Sequence, residues 1–179
     1  QYFIDYFHNK KGIIEDKYFI PQPVIRTKFM DSVGEGYLSS FVNITTGHCN
    51  SKLEDHINAI DLWMQFLSSL GLYLGDFNLT LQLDEGDRFS GFWKNTTGTI
   101  LRFYYGGFEL GDAGLIQFED KNELISDIGF GLERVLWAIN KDEFSDIIGP
   151  KPFSFKKIYV LMDGIRTATL MSLSGLSER

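Results

Sequence analysis

One cysteine, three histidines and four prolines among 179 residues remove several classes of protein at once. The lone Cys49 permits no internal disulfide and no Cys-x-x-Cys metal site. His48-Cys49 with His56 lack a fourth ligand at sensible spacing, so a structural zinc is not expected. No apolar run approaches the roughly 18 residues of a membrane span. Positive charge is scarce too: 17 Lys and Arg against 24 Asp and Glu leave a net charge of −7. Such a chain does not clamp a nucleic-acid backbone by itself, although a local basic strip or a separate gripping module remains compatible with it. Three Asn-x-Thr sequons, at Asn43, Asn78 and Asn95, come without a signal-peptide pattern, so cytoplasm is the expected compartment. Neither a repeat nor a low-complexity tract is present.

Apolar material is plentiful. Hydrophobic residues make up 44% of the chain and aromatic residues 15%, with sixteen Phe, which is the composition of a packed globular protein. The length suits one domain, or one domain and the start of another. The chain opens abruptly on Tyr2-Phe3-Ile4-Asp5-Tyr6-Phe7 and closes inside a helix-like pattern, so a piece of something longer is expected. Residues 18–30 read as extended, because Pro21 and Pro23 disfavour helix. A loop at 31–36 and a returning strand at 37–44 complete a long hairpin. Ser51-Lys52-Leu53-Glu54 reads as a capping box. Leu53, Ile57, Ile60, Met64 and Leu67 give the helix behind it an apolar stripe, and Gly71 closes it. Strands are expected at 77–83, 99–105 and 115–118. A last helix is expected over residues 159–173, after the break at Pro150-Lys151-Pro152. Strands in series with helices between them predict an α+β fold with a mainly antiparallel sheet.

The segment Ser126-Asp127-Ile128-Gly129-Phe130-Gly131-Leu132-Glu133-Arg134 carries the strongest chemical signal. Gly129 and Gly131 omit the Cβ atoms that would keep a ligand from the backbone. The helix that follows, with Leu132, Val135, Leu136 and Ile139 on one stripe, starts with a positive dipole end that suits an anion. Arg134 adds a rigid fork of donors. The segment fits a phosphate-bearing ligand or an ordinary strand-to-helix turn with a surface arginine. Arg26, in an apolar strand, must reach a surface or meet an anion, since a buried unpaired charge is costly. Phe92-Trp93 before a small polar turn offers a stacking face for a purine, or simply a core tryptophan before a turn. Glu109 and Asp112 fit either a solvated turn or a site for an ammonium group or a magnesium ion. Asp127 is an acid of the same kind.

In this order, the pieces resemble the catalytic core of alanyl-tRNA synthetase, a class II aminoacyl-tRNA synthetase. Gln1 onward is similar to that family's N-Q-F-x-x-Y-F, and Gln22-Pro23-Val24-Ile25-Arg26-Thr27 to its Q-P-x-I-R-T. Phe92-Trp93 with Thr97-Gly98 resembles F-W-x-x-G-x-T-G. The stretch from Glu109 to Phe118 resembles E-x-(W/G)-N-x-V-F-x-Q-(F/Y), and Asp127 to Arg134 resembles D-T-G-M-G-L-E-R. Met162-Asp163-Gly164-Ile165-Arg166-Thr167-Ala168-Thr169 resembles A-D-H-x-R-A-A-T, which opens that family's helical tRNA-recognition region.

The resemblance implies a class II synthetase-like antiparallel sheet flanked by helices, carrying bent ATP with Mg2+. Residues 1–149 would form the adenylation core, and 150–179 a linker and the start of the tRNA-facing region. Arg26 would hold the α-phosphate and Arg134 the γ-phosphate, while Gly129 and Gly131 admit the nucleotide. Trp93 would line the amino-acid pocket with Asp112, and Asp127 would bind the substrate ammonium. The implied reaction activates alanine or a similar small amino acid and passes it to tRNA, mainly through regions outside this chain. A non-tRNA acceptor, or a paralogue that has lost catalysis, are the alternatives. Lys28-Phe29 replace Asn-Asp of the family, Val42 replaces an acid, and a Pro- and Cys-containing turn is shortened to Thr97-Gly98-Thr99. Asp112 stands where the family has Asn. Its charge beside Asp127 raises at least one pKa or demands a cation, which suits a more cationic substrate.

Overall fold

The computed structural model describes residues 17–26, 30–33, 37–84, 96–118, 124–140 and 156–174. Phe92, Trp93 and the opening 1–16 segment lie outside them. Six strands form one sheet: β1 (Lys17–Ile25), β2 (Ser40–Ser51), β3 (Phe77–Asp84), β4 (Thr96–Tyr105), β5 (Phe108–Phe118) and β6 (Leu124–Gly131). Their order is β1-β2-β6-β5-β4-β3, and every neighbouring pair is antiparallel. Among the described residues three α-helices accompany them: α1 (Leu53–Ser69), α2 (Leu132–Ile139) and α3 (Lys156–Leu173). The expected α+β class with a mainly antiparallel sheet is what the chain adopts.

Strand alternation gives the sheet two unlike faces. On one, Phe103, Ala113, Ile128 and Phe130 are buried against Trp63 and Leu67 of α1 and Val135 and Ala138 of α2. Each fully buried Phe stabilises the fold by roughly 1.5–3 kcal/mol. The other face carries Phe41, Asn43, Asp112, Asp127 and Gly129, and no described helix packs on it. The chemistry sits there. At the β1 edge, the Arg26 N–H bonds to the Ser39 carbonyl at 2.8 Å. By alternation, Pro21 and Pro23 therefore turn their nitrogens outward, where a missing N–H costs no ladder bond and discourages further strand pairing.

Several local expectations shift. Helix α1 is capped at Lys52, not Ser51; Lys52 has no acceptor, and the return bond comes from Asp55, whose Oδ2 accepts the Lys52 N–H at 3.0 Å. The apolar stripe is rolled accordingly: Leu53 and Ile57 are more than half exposed, while His56, Trp63 and Leu67 are buried. Trp63 decides the roll. Its ring lies 4.6 Å from that of Phe130, and its indole N–H donates to Thr46 Oγ1 at 2.8 Å. Gly71 closes the helix as expected, at φ 93°, with the Leu72 N–H bonded to the Leu67 carbonyl and the Gly71 N–H to that of Ser68. On α2 only Val135 of the anticipated stripe is fully buried, joined by Ala138; Leu136 and Ile139 are over a third exposed.

Strand β5 begins earlier than expected, and its start contains a bulge. Phe103 pairs with Gly111 while Tyr104 pairs with Glu109, so Leu110 is the extra residue. The bulge turns Glu109 and Asp112, three apart in sequence, to the same face. Gly111 itself lies where a Cβ would fall 2.2 Å from the Gly129 carbonyl oxygen and 2.7 Å from the Phe130 ring. Gly111→Ala is expected to cost at least about 2 kcal/mol by overpacking, measured by urea unfolding; a loss below about 0.5 kcal/mol would show that the β5–β6 contact yields.

Candidate functional site

Arg26 follows the last residue of β1, and Arg134 belongs to the first turn of α2. The β2 strand between them supplies Phe41. The Arg26 guanidinium carbon lies 5.8 Å from the centroid of that ring and the Arg134 carbon 4.6 Å from it, with Tyr37 a further 5.4 Å contact of Arg134. One aromatic ring thus carries two cations. Together with Asn43, Glu109, Leu110, Gly111, Asp112, Gly129 and Gly131 they line a single cleft on the helix-free face. The structure therefore brings together Arg26, Arg134, Gly129, Gly131, Glu109 and Asp112, six residues singled out from sequence. Trp93 lies outside the described residues.

The glycines work differently from expectation. Gly129 is not a loop residue with free N–H groups; it pairs with Thr45 of β2 and Asp112 of β5. It leaves room for Asn43, whose amide nitrogen would stand 2.8 Å from a Cβ there. Gly131, extended at φ −74° as the cap of α2, leaves room for the Arg134 stem at 3.0 Å and for Phe41 at 3.3 Å. The absent side chain of Gly131 is what lets Arg134 fold back over the sheet.

Three acids answer the arginines. Glu109 is buried, pairs with Arg102 at 3.5 Å and Arg134 at 3.8 Å, and accepts the Tyr104 hydroxyl at 3.5 Å. Arg134 also donates to the Glu109 carbonyl at 3.1 Å. Glu109 is thereby buried against two arginines, which corrects its reading as a solvated turn acid. Asp112 sits opposite Arg102 in the ladder. Burial pushes its carboxyl upward from the usual range, Arg26 opposing and Glu109 assisting. Burial, with Asp112 adding, raises Asp127 to about 7, against the pull of Arg26. One Asp127 oxygen, Oδ1, has no hydrogen-bond partner among the described residues. Arg134 is pulled below its usual value by burial; Glu109 opposes this and Arg26 adds to it.

Tyr18 lies outside the cleft lining and borders the roomier groove beside α1. A Cβ at Gly47 would fall 1.8 Å from its ring, so the phenol lies flat across Gly47, whose partner on β6 is Asp127. Burial, then Asp127, drives the Tyr18 hydroxyl well above its ordinary value. Val42, read as the replacement of a nucleotide-site acid, points to the opposite face from Phe41 and Asn43. Phe41 and Asn43, which border the cleft, and Arg102, which pairs with Glu109, were not anticipated. Pairing β1 with β2 in register, Val24 to Phe41, would have placed the first two beside Arg26.

Free space in the cleft is about 10 Å³, roughly one water. A roomier groove of about 580 Å³ lies on the other face between β1 and α1, lined mainly by hydrocarbon of Phe19, Ile44, Leu62, Trp63 and Phe66. None of the described predicted site residues borders it, so chemistry and volume are separated in this structure. Among the described residues no cluster of three His, Cys, Asp or Glu is placed to hold a metal ion, and no described helix is long and apolar enough to cross a membrane.

The chain is similar to PylSc, a pyrrolysyl tRNA synthetase of Desulfitobacterium hafniense, with a TM-score of 0.53 at 17% identity. The fold is class II synthetase-like. The match covers 82% of this chain and 49% of that one, so the chain spans about half the length of the synthetase it matches. No family model and no curated protein matches the sequence.

The carboxyl of Asp127 makes stability pH-dependent. Below about pH 4 it is protonated whether the chain is folded or not. Between there and about 7 the unfolded chain has released a proton that the folded chain retains, so stability falls as pH rises through that window. Asp127→Asn is therefore expected to be more stable than the unaltered chain at pH 8, with the gap closing toward pH 4.5, in thermal unfolding curves. A gap that is constant with pH would remove the raised carboxyl.

Proposed function

We propose that this chain is the amino-acid-activating core of an aminoacyl-tRNA synthetase. The observation that supports this most directly is the convergence of Arg26 and Arg134 on one ring. Two like charges held together repel, and a polyphosphate relieves that repulsion while supplying acceptors for both forks. The class II synthetase-like fold supports the same reading.

In the proposed reaction an amino-acid carboxylate oxygen attacks the α-phosphorus of ATP. A new P–O bond forms, the bond to the bridging oxygen breaks, and pyrophosphate leaves with that electron pair. Arg26 stabilises charge at the α-phosphate, and Arg134 leaves Glu109 to hold the distal phosphates. Catalysis then comes from positioning and charge stabilisation, with no protein nucleophile. Asp127 receives the substrate ammonium on its unpartnered oxygen. Mg2+ would enter with ATP and supply charge neutralisation at the phosphates; no step is assigned to it. The aminoacyl group of the adenylate then passes to a tRNA hydroxyl, the acyl–phosphate bond breaking and AMP leaving, with tRNA held mainly by regions outside this chain, residues 150–179 opening that part, in the cytoplasm.

The Tyr18 ring across Gly47 supports a small amino-acid side chain, alanine among them, and Asp112 favours one bearing a further positive charge. The small free volume of the cleft favours a second reading, a homologue that binds without catalysing. Amino-acid-dependent exchange of pyrophosphate into ATP separates the two. Exchange is expected with a small or diamino acid, and Arg26→Ala or Arg134→Ala should lower it by about 100-fold or more. Exchange that survives both substitutions would end the assignment, and none with any amino acid would leave the binding homologue.

A further inference from the structure

Helix α3 lies outside the cleft, yet two of its polar side chains end, through one intermediary each, on the two arginines. Asp163, only 3% exposed, accepts the backbone N–H of Ser39 at 3.1 and 3.2 Å from its two oxygens, and also the Ser39 hydroxyl. That hydroxyl meets Thr167 Oγ1 at 3.0 Å. The Ser39 carbonyl in turn holds the Arg26 N–H at 2.8 Å. Three residues along the same helix face, Arg166 pairs with Glu133. The other Glu133 oxygen accepts the Val42 N–H at 2.8 Å. Glu133 precedes Arg134, and Val42 separates Phe41 from Asn43, both of which border the cleft.

These contacts are more than generic packing. Val160, Leu161 and Ile165 of α3 are 47%, 62% and 58% exposed, so much of the helix's hydrocarbon faces away from the sheet. Its most buried described side chain is a charged one, Asp163, and buried charge is tolerated only in defined hydrogen-bonded geometry. Each strut stands behind a different arginine. We infer that Asp163 and Arg166 are positioning residues, α3 fixing the Arg26 backbone through Ser39 and the Arg134 turn through Glu133. The catalytic consequence rests on the activation reading; the positioning itself does not.

Backbone hydrogen exchange tests the positioning without any activity. Asp163→Asn is expected to speed exchange at the Arg26 amide about tenfold or more, and Arg166→Met to do so at Val42, since each removes a charged hydrogen-bond partner. Exchange at Phe103, remote on β4, should not move, and Arg166→Lys should restore part of the Val42 protection. Should Asp163→Asn fail to fold, Ser39→Ala removes only the hydroxyl arm and carries the same expectation more weakly. In the exchange reaction, both α3 variants should raise the KM for ATP roughly tenfold with thermal midpoints within about 5 °C of the unaltered chain. Unchanged protection at Arg26 and Val42, or a loss spread evenly over the sheet, overturns the inference. If the unaltered chain lacks pyrophosphate exchange, the activation reading fails while the amide measurements still decide the struts.

Discussion

Two guanidinium groups share the face of one aromatic ring, and most of what surrounds them exists to make that tolerable. Arg26 and Arg134 repel across Phe41. Glu109, Asp112 and Asp127 supply the opposing charge, and Arg102 ties Glu109 in place from β4. Among these six groups the positive and negative charges are equal in number. Removing Arg26 or Arg134 would leave buried carboxylates with less opposing charge, the costly case for a protein interior. A ligand that is anionic at one end and cationic at the other is the natural replacement for that internal balance. ATP beside an amino acid has this distribution, which is why the proposed activity fits the charge pattern better than binding of either alone.

The same arrangement explains why the cleft is nearly filled. Arg134 lies on Phe41 and Tyr37 and bonds to Glu109, so its own side chain takes the space that a nucleotide would need. Entry of a triphosphate requires this arginine to exchange Glu109 for phosphate oxygens. That exchange replaces one charge-assisted set of bonds with another, so the free and occupied sites differ by rearrangement more than by new structure. The apolar groove beside α1 offers more volume but none of this charge.

The residues that line the cleft were largely legible along the chain, because glycines and arginines near strand ends stand out locally. Arg26, Arg134, Gly129, Gly131 and Asp112 all fall in one cleft. What the sequence hid was the register. Glu109 and Asp112 reach the same face only because Leu110 is bulged, and nothing in the residue types announces a bulge there. Gly129 and Gly131 read as opening the backbone to a ligand, whereas they are extended residues whose missing side chains admit Asn43 and Arg134. The stripe of α1 was misplaced by part of a turn because periodicity weighs Leu53, Ile57 and Trp63 alike, while packing favours the largest ring and its indole N–H. Asp163 and Arg166 lay in a recognised segment, but their partners Ser39 and Glu133 are set by tertiary contacts that no local pattern encodes.

The central claim is that the two arginines form one polyphosphate site. A crystal structure of the chain with a non-hydrolysable ATP analogue tests it most directly. The account predicts the triphosphate lying between Arg26 and Arg134 on the helix-free face, with the Arg134 bond to Glu109 broken. A nucleotide seated in the apolar groove beside α1, or one that leaves Arg134 on Glu109, would contradict it.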